Sequence, residues 1–184
     1  VTDLLYKCYG QAILDDDREE DFEEILKVIK DRYDSIINGL ELTISLDDEF
    51  KTIQENFSKK IGRDYAASRG EYLNGIIMAA YLGYEFIDAA EVIFFDEEGE
   101  FDAEKTNEVL SERLAHTERA VIPGFYGSNP DGTIHTFSRG GSDITGSIVA
   151  RAVHADMYEN WTDVSGFLIA DPRIIKNPKA IDVI

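Results

Sequence analysis

The sequence is short of cysteine, proline, basic side chains and long apolar runs, and each shortage removes a class of protein. One cysteine in 184 residues, Cys8, leaves no internal disulfide and no cysteine cluster for a metal. The three histidines, His116, His135 and His154, share no ligand spacing. A reducing cytoplasm is the compartment this usage predicts. The longest apolar stretch, residues 76–82 (IIMAAYL), is well below the ~20 residues that a spanning helix needs, and no charged-then-apolar leader opens the chain. No membrane is expected as a partner. With 18 basic against 37 acidic residues the net charge is −19 and no basic patch interrupts it, so nucleic acid is not expected either. An anionic ligand would have to be held by a few placed arginines, backbone N–H groups and bound magnesium, since the overall field repels it. Neither G-x-x-x-x-G-K-[ST] nor G-x-G-x-x-G occurs, so the two standard phosphate loops are absent.

What is present suits one globular unit, with 43% hydrophobic residues and four prolines that leave no linker. The opening VTDLLYKCYGQAIL carries Leu4, Leu5, Cys8 and Ile13 at helical spacing. Phe22, Ile25, Leu26, Ile29, Tyr33, Ile36 and Ile37 line one face of a helix predicted over 20–38. The acids before it suit a helix start; Glu20 stands where a calcium loop opened by Asp15, Asp16 and Asp17 would require glycine. Phe50, Ile53, Phe57 and Ile61 predict a third helix, and SRGEYLNGIIMAAYLG a fourth that ends at Gly83. The first half is therefore helical. Beyond it the period changes. YEFIDAAEVIFF reads as a strand, 102–115 as a helix capped by Asp102, and AVIPGFYG as a second strand making a hairpin with TIHTF across the SNPDG turn. SDITGSIVARAVHAD then predicts a helix with Ile144, Ile148, Val149, Ala152 and Val153 inward, and MYENWTDVSG a strand that breaks into a loop. This order implies an open α/β sheet with ligands at the carboxyl ends of its strands. Both ends of the sequence read as cuts through a longer chain.

Two stretches carry chemistry. In FSRGGSDITG, Gly140 and Gly141 allow positive φ and a close backbone approach, with Ser142 or Asp143 capping the following helix. Free N–H groups and the positive helix end would converge on one spot, where Arg139 can grip a carboxylate with two hydrogen bonds. An ordinary strand-to-helix connection accounts for the same residues equally well. In WTDVSGFLIADPR, Thr162, Asp163 and Arg173 at a strand's carboxyl end can hold a nucleotide, or can cap and begin turns. Upstream, Ser68 and Glu71 match the spacing of a capping box.

Taken together, TFSRGGSDITGSIVARAVHAD, ENWTDVSGFLIADPR, SRGEYLNG and VTDLL resemble the aspartokinases of the amino-acid kinase superfamily, in the same order. The T-D-V-x-G and D-P-R pieces are shared across the superfamily, whereas R-G-G-S-D singles out aspartokinases. The resemblance implies a three-layer α/β/α sandwich with an open, mainly parallel sheet. Its activity would be ATP-dependent phosphorylation of the side-chain carboxylate of L-aspartate, with Mg2+. Arg139, Gly140, Gly141 and Ser142 would bind aspartate, Asp143 would organise the catalytic groups, Glu71 would take the substrate ammonium, and Thr2 would touch aspartate. Thr162, Asp163, Leu168 and Arg173 would line the ATP site. Three positions depart from the pattern: Ser138 replaces a glycine, Tyr72 an arginine and Leu168 a tyrosine. No K-F-G-G-S occurs, the segment that supplies a phosphate-bridging lysine. Residues 1–184 would thus be the middle of a catalytic domain, without its regulatory domains, inactive alone and homo-oligomeric in the intact protein. Two other readings keep most of these residues: another amino-acid kinase, or a sensor that binds amino acid or nucleotide without turnover.

Overall fold

The computed structural model describes residues 1–13, 19–138, 140–161, 169 and 174–179, with helices and short strands in the α/β order that the sequence predicts. The acidic triple at 15–17 lies outside these residues. Four helices come first: α1 (Thr2–Ala12), α2 (Glu19–Gly39), α3 (Asp47–Ser58) and α4 (Arg63–Leu82). The predicted face of α2 packs inward, with Phe22, Leu26, Ile29, Tyr33 and Ile37 buried. They meet Leu5 and Cys8 of α1, Phe50, Ile53 and Phe57 of α3, and Leu73 and Ile77 of α4 in one apolar cluster. Each such side chain removed from water contributes roughly 1.5–3 kcal/mol, so this cluster is what holds four amphipathic helices together. Leu4, Ile13 and Ile61, assigned to inward faces by spacing, are exposed. Cys8 is fully buried, with its thiol against the Phe22 carbonyl at 3.5 Å, and burial pushes that thiol up to about 12. Helix α4 ends at Gly83, whose φ of 68° gives the left-handed C-cap expected of it.

The second half departs from the predicted strands at two places before α7 and again over 157–161. The run 84–95 is not one strand: β1 (Glu85–Phe86) gives way to a single helical turn, α5 (Ala89–Val92), because the Asp88 carboxylate accepts the Ala90 N–H at 3.0 Å and caps it. The run 120–127 breaks into β2 (Ala120–Val121) and β3 (Tyr126–Ser128), since Pro123 has no N–H to offer a ladder and Phe125 adopts a φ of 69°. Helix α6 (Ala103–Leu114) lies between them, capped by Asp102 accepting from the Lys105 N–H. Strand β2 pairs parallel with β1, and β3 pairs antiparallel with β4 (Ile134–Thr136) across the predicted turn. Phe94 and Ser128 add a parallel bridge.

Helix α7 (Gly141–Ala152) closes a second apolar cluster, in which Ile148 and Ala152 join Ile87, Val92, Ile93, Leu110 and Tyr126. Ile144 and Val153 are exposed instead of inward, and Thr145 takes the buried position between them. Residues 157–161 form no strand. Tyr72 of α4 and Ile134 of β4 pack against both clusters, so α4 is the helix on which the two halves meet. Among the described residues no helix is long and apolar enough to cross a membrane.

Candidate functional site

Helix α4 presents the first part of the site. It starts at Gly62, six positions before Ser68, so the Ser68–Glu71 pair sits well inside the helix and is not a capping box. The Ser68 hydroxyl donates to the Tyr65 carbonyl at 2.8 Å, one turn back. Glu71 is thereby left without a capping role, and its Oε2 is buried with no hydrogen-bond partner among the described residues. Burial raises the Glu71 pKa above the ordinary carboxylate value, against a smaller lowering by its own backbone. An orphaned buried oxygen costs about 1–3 kcal/mol, which a donor entering from outside would relieve.

The surroundings of Glu71 are built by α1 and α2. Gly70 has no side chain, and Thr2 Oγ1 lies 3.6 Å from the position its Cβ would take, so α1 sits against the turn that carries Glu71. From α2 the buried Tyr33 hydroxyl donates to the Gly70 carbonyl at 2.9 Å. Burial, reinforced by the Glu71 charge, pushes this phenol up to about 12, so it remains a neutral donor. Thr2 is thus seated against the residue before Glu71; Tyr33 is an addition that periodicity registered only as a core position.

The second part is the glycine turn before α7. Gly140 is the N-cap, in the left-handed region at φ 60°, and no side chain among the described residues caps the helix. This corrects the expectation that Ser142 or Asp143 would cap it: both lie in the first turn of α7 and are exposed. The first-turn amides are thus left without a side-chain acceptor, the condition for binding an anion at a helix start. Gly141 serves a different purpose from Gly140. A Cβ there would come within 2.6 Å of the Phe125 Cβ and 2.9 Å of the Phe137 Cβ. Phe125 is held in its left-handed conformation from both sides, its N–H donating to Thr145 Oγ1 at 3.0 Å and its carbonyl accepting from the Phe137 N–H at 2.9 Å. The Thr145 hydroxyl passes the chain of bonds on to the Gly141 carbonyl at 2.8 Å. A bulky residue at positive φ costs about 1–3 kcal/mol and persists where its neighbours over-determine it. Phe125 and Thr145 were not singled out from the sequence, because one reads as strand and the other as a helix interior.

Asp143 receives the Asn160 side-chain amide at 3.1 Å, which draws the segment before Thr162 toward the start of α7. Ser142 and residues 157–159 share a cleft of about 740 Å³ with Gly124 and Ala120, at the carboxyl end of β2. Arg139, Thr162, Asp163, Leu168 and Arg173 lie outside the described residues. No hydrogen bond among the described residues joins Glu71 to the α7 turn; the two parts are linked through α4, which packs against Phe86 and Pro123 at Gly75 and against Tyr126 at Arg69. No group of three or more metal-ligating side chains is found among the described residues.

Residues 10–184 match the profile of the Amino acid kinase family. Aspartokinase 3 of Bacillus subtilis (strain 168) is 35% identical over 98% of the chain, which spans 42% of that protein. The crystal structure of Clostridium acetobutylicum aspartate kinase superimposes with a TM-score of 0.86 at 51% identity, covering 98% of this chain and 41% of that one. E. coli aspartokinase III, in complex with aspartate and ADP, shares the fold with a TM-score of 0.79 at 24% identity, over 98% of this chain and 44% of its own. The chain thus spans less than half the length of these relatives.

Proposed function

The chain belongs to the amino acid kinase family, and we propose that the protein phosphorylates the side-chain carboxylate of L-aspartate with ATP. The observation that carries this reading is Glu71: a carboxylate whose inner oxygen is buried and unpartnered among the described residues, on the turn against which Thr2 is seated, fits the ammonium of a free amino acid. The uncapped first turn of α7 supplies amides for the α-carboxylate, and Arg139, next in sequence to the Gly140 N-cap, is proposed to take the same group. Holding both α-substituents leaves the side-chain carboxylate free to react. It needs no general base, because it is already an anion. One of its oxygens attacks the γ-phosphorus, the bond to the bridging oxygen of ADP breaks, and 4-phospho-L-aspartate and ADP are formed. Catalysis is then mainly positioning and charge neutralisation.

Thr162, Asp163, Leu168 and Arg173 are proposed to hold the nucleotide. Magnesium is proposed to arrive with its phosphates and to neutralise their charge; the single exposed carboxylate of Asp143 at the α7 turn fits a cation that takes one or two protein ligands. The larger architecture, residues 1–184 as part of a three-layer α/β/α kinase domain in a homo-oligomeric protein, belongs to the same proposal.

The test is a coupled ADP-release assay on the full-length protein with magnesium-ATP, offering L-aspartate, L-glutamate and N-acetyl-L-glutamate separately. Turnover with L-aspartate alone is the expected result. Turnover with another acid would replace the substrate and keep the family, and nucleotide binding without any turnover would make the protein a sensor.

A further inference from the structure

Arg69 is an anomaly that the proposed reaction does not use. The residue is only 5% exposed, yet among the described residues no carboxylate comes within ion-pair distance of its guanidinium. A buried cation without a counter-ion is expensive, so its surroundings must compensate. They do so with aromatic faces. The guanidinium carbon lies 4.4 Å from the Tyr65 ring centroid, 4.3 Å from that of Tyr72 and 5.6 Å from that of Tyr126. Nε and one terminal nitrogen donate to the Ser68 hydroxyl at 3.1 and 3.0 Å. The Tyr126 hydroxyl in turn donates to the Asp88 carboxylate at 2.7 Å, and the same carboxylate oxygen caps α5.

The position of this cluster gives it a role. Tyr65 belongs to the helical cluster, Tyr126 to the α/β cluster, and Tyr72 packs against both, so the guanidinium stands on the seam between them. On one side it is two residues from Glu71. On the other, Tyr126 follows Phe125, against which Gly141 and the α7 turn are seated. A site that reads the ammonium of an amino acid from α4 and its carboxylate from α7 depends on the separation of those two elements.

We propose that Arg69 is a positioning residue for the amino-acid subsite, fixing the separation of Glu71 from the α7 turn through its cation–π contacts with Tyr72 and Tyr126. The inference rests on the proposed aspartate kinase reading. It requires stacking as well as charge, which sets arginine apart from lysine at this place.

The test uses the full-length protein. Wild-type turnover of L-aspartate is measured first; its absence would overturn the kinase reading and this inference with it. Given that turnover, Arg69→Met and Arg69→Lys are both expected to raise KM for L-aspartate by about tenfold or more. The KM for magnesium-ATP should stay within roughly twofold, and the preference for L-aspartate over L-glutamate should fall, because a substrate held loosely by its α-substituents no longer sets its side-chain carboxylate at one fixed distance from the γ-phosphate. A general loss of structure would move both KM values together and leave the preference alone. Either that pattern, or an Arg69→Lys enzyme indistinguishable from wild type, would overturn the inference. Should the Arg69 variants fail to fold, Tyr126→Phe, which removes only the bond to Asp88, is expected to relax the same preference, and an unchanged preference in that variant counts against the proposal.

Discussion

Glu71 shows what a binding residue costs the protein that carries it. Its pKa in the folded chain is raised by burial, so the folded state favours the protonated form. A carboxyl raised in this direction stabilises the fold at low pH, and that stabilisation is lost as pH rises from the unfolded value, near 4.3, through the folded one. Above that window the ionised group is a burden on the ligand-free protein. Glu71→Gln is therefore expected to raise the melting temperature at pH 8 and to confer no gain near pH 3.5, while weakening L-aspartate binding by roughly 100-fold with nucleotide binding intact. Melting curves at the two pH values and titration calorimetry with each ligand check this, and a lowered melting temperature at pH 8 would contradict the burial account. The sequence singled out Glu71 and Thr2 through text, not through physics: locally, Ser68 and Glu71 are indistinguishable from a capping box until the start of α4 at Arg63 is known. Tyr33, Phe125 and Thr145 left no such trace, since a phenol on an apolar helix face or a phenylalanine after glycine is ordinary composition. Only the fold reveals that one bonds Gly70 and that the other two hold the α7 turn.

The glycine turn before α7 works as an element because its two glycines are not equivalent. Gly140 needs its left-handed φ and has open space around it, whereas Gly141 needs the absence of a side chain against Phe125 and Phe137. Gly140→Ala is expected to cost roughly 1–2 kcal/mol of stability, the usual penalty of that conformation. Gly141→Ala should cost more, about 3 kcal/mol, because its clash is with the Cα and Cβ of Phe125, whose backbone two hydrogen bonds hold in place. It should also weaken L-aspartate binding by displacing the first-turn amides. Urea denaturation of both variants decides the order, and equal losses would show that the Phe125 contact relaxes. Element type was legible where periodicity was long, as in α2, α6 and α7, or where a turn had its own chemistry, as at Gly83 and between β3 and β4. It failed over 84–95 and 120–127, where β-rich composition was overridden by one aspartate cap in the first run and one proline in the second.

At the scale of the whole molecule, two apolar clusters share one central helix under a net charge of −19. Such an excess of like charge destabilises a compact state through self-repulsion, over distances that salt of about 0.15 M cuts to ~8 Å. The melting temperature is expected to climb by several degrees between roughly 10 mM and 0.5 M sodium chloride, and a flat or falling curve would show that local ion pairs such as Lys30 with Asp34 and Asp47 outweigh the global field. Composition made the charge and the helical first half legible; it could not show that the core would divide, because the residues on the seam are, apart from Ile134, tyrosines and an arginine, which no apolar pattern marks. The division gives the lone cysteine an unexpected use. Cys8 sits inside the helical cluster and is the chain's only thiol. A thiol reagent can reach it only in the moments when that cluster opens, so its labelling rate is a clock for the breathing of one half of the molecule, silent about the other.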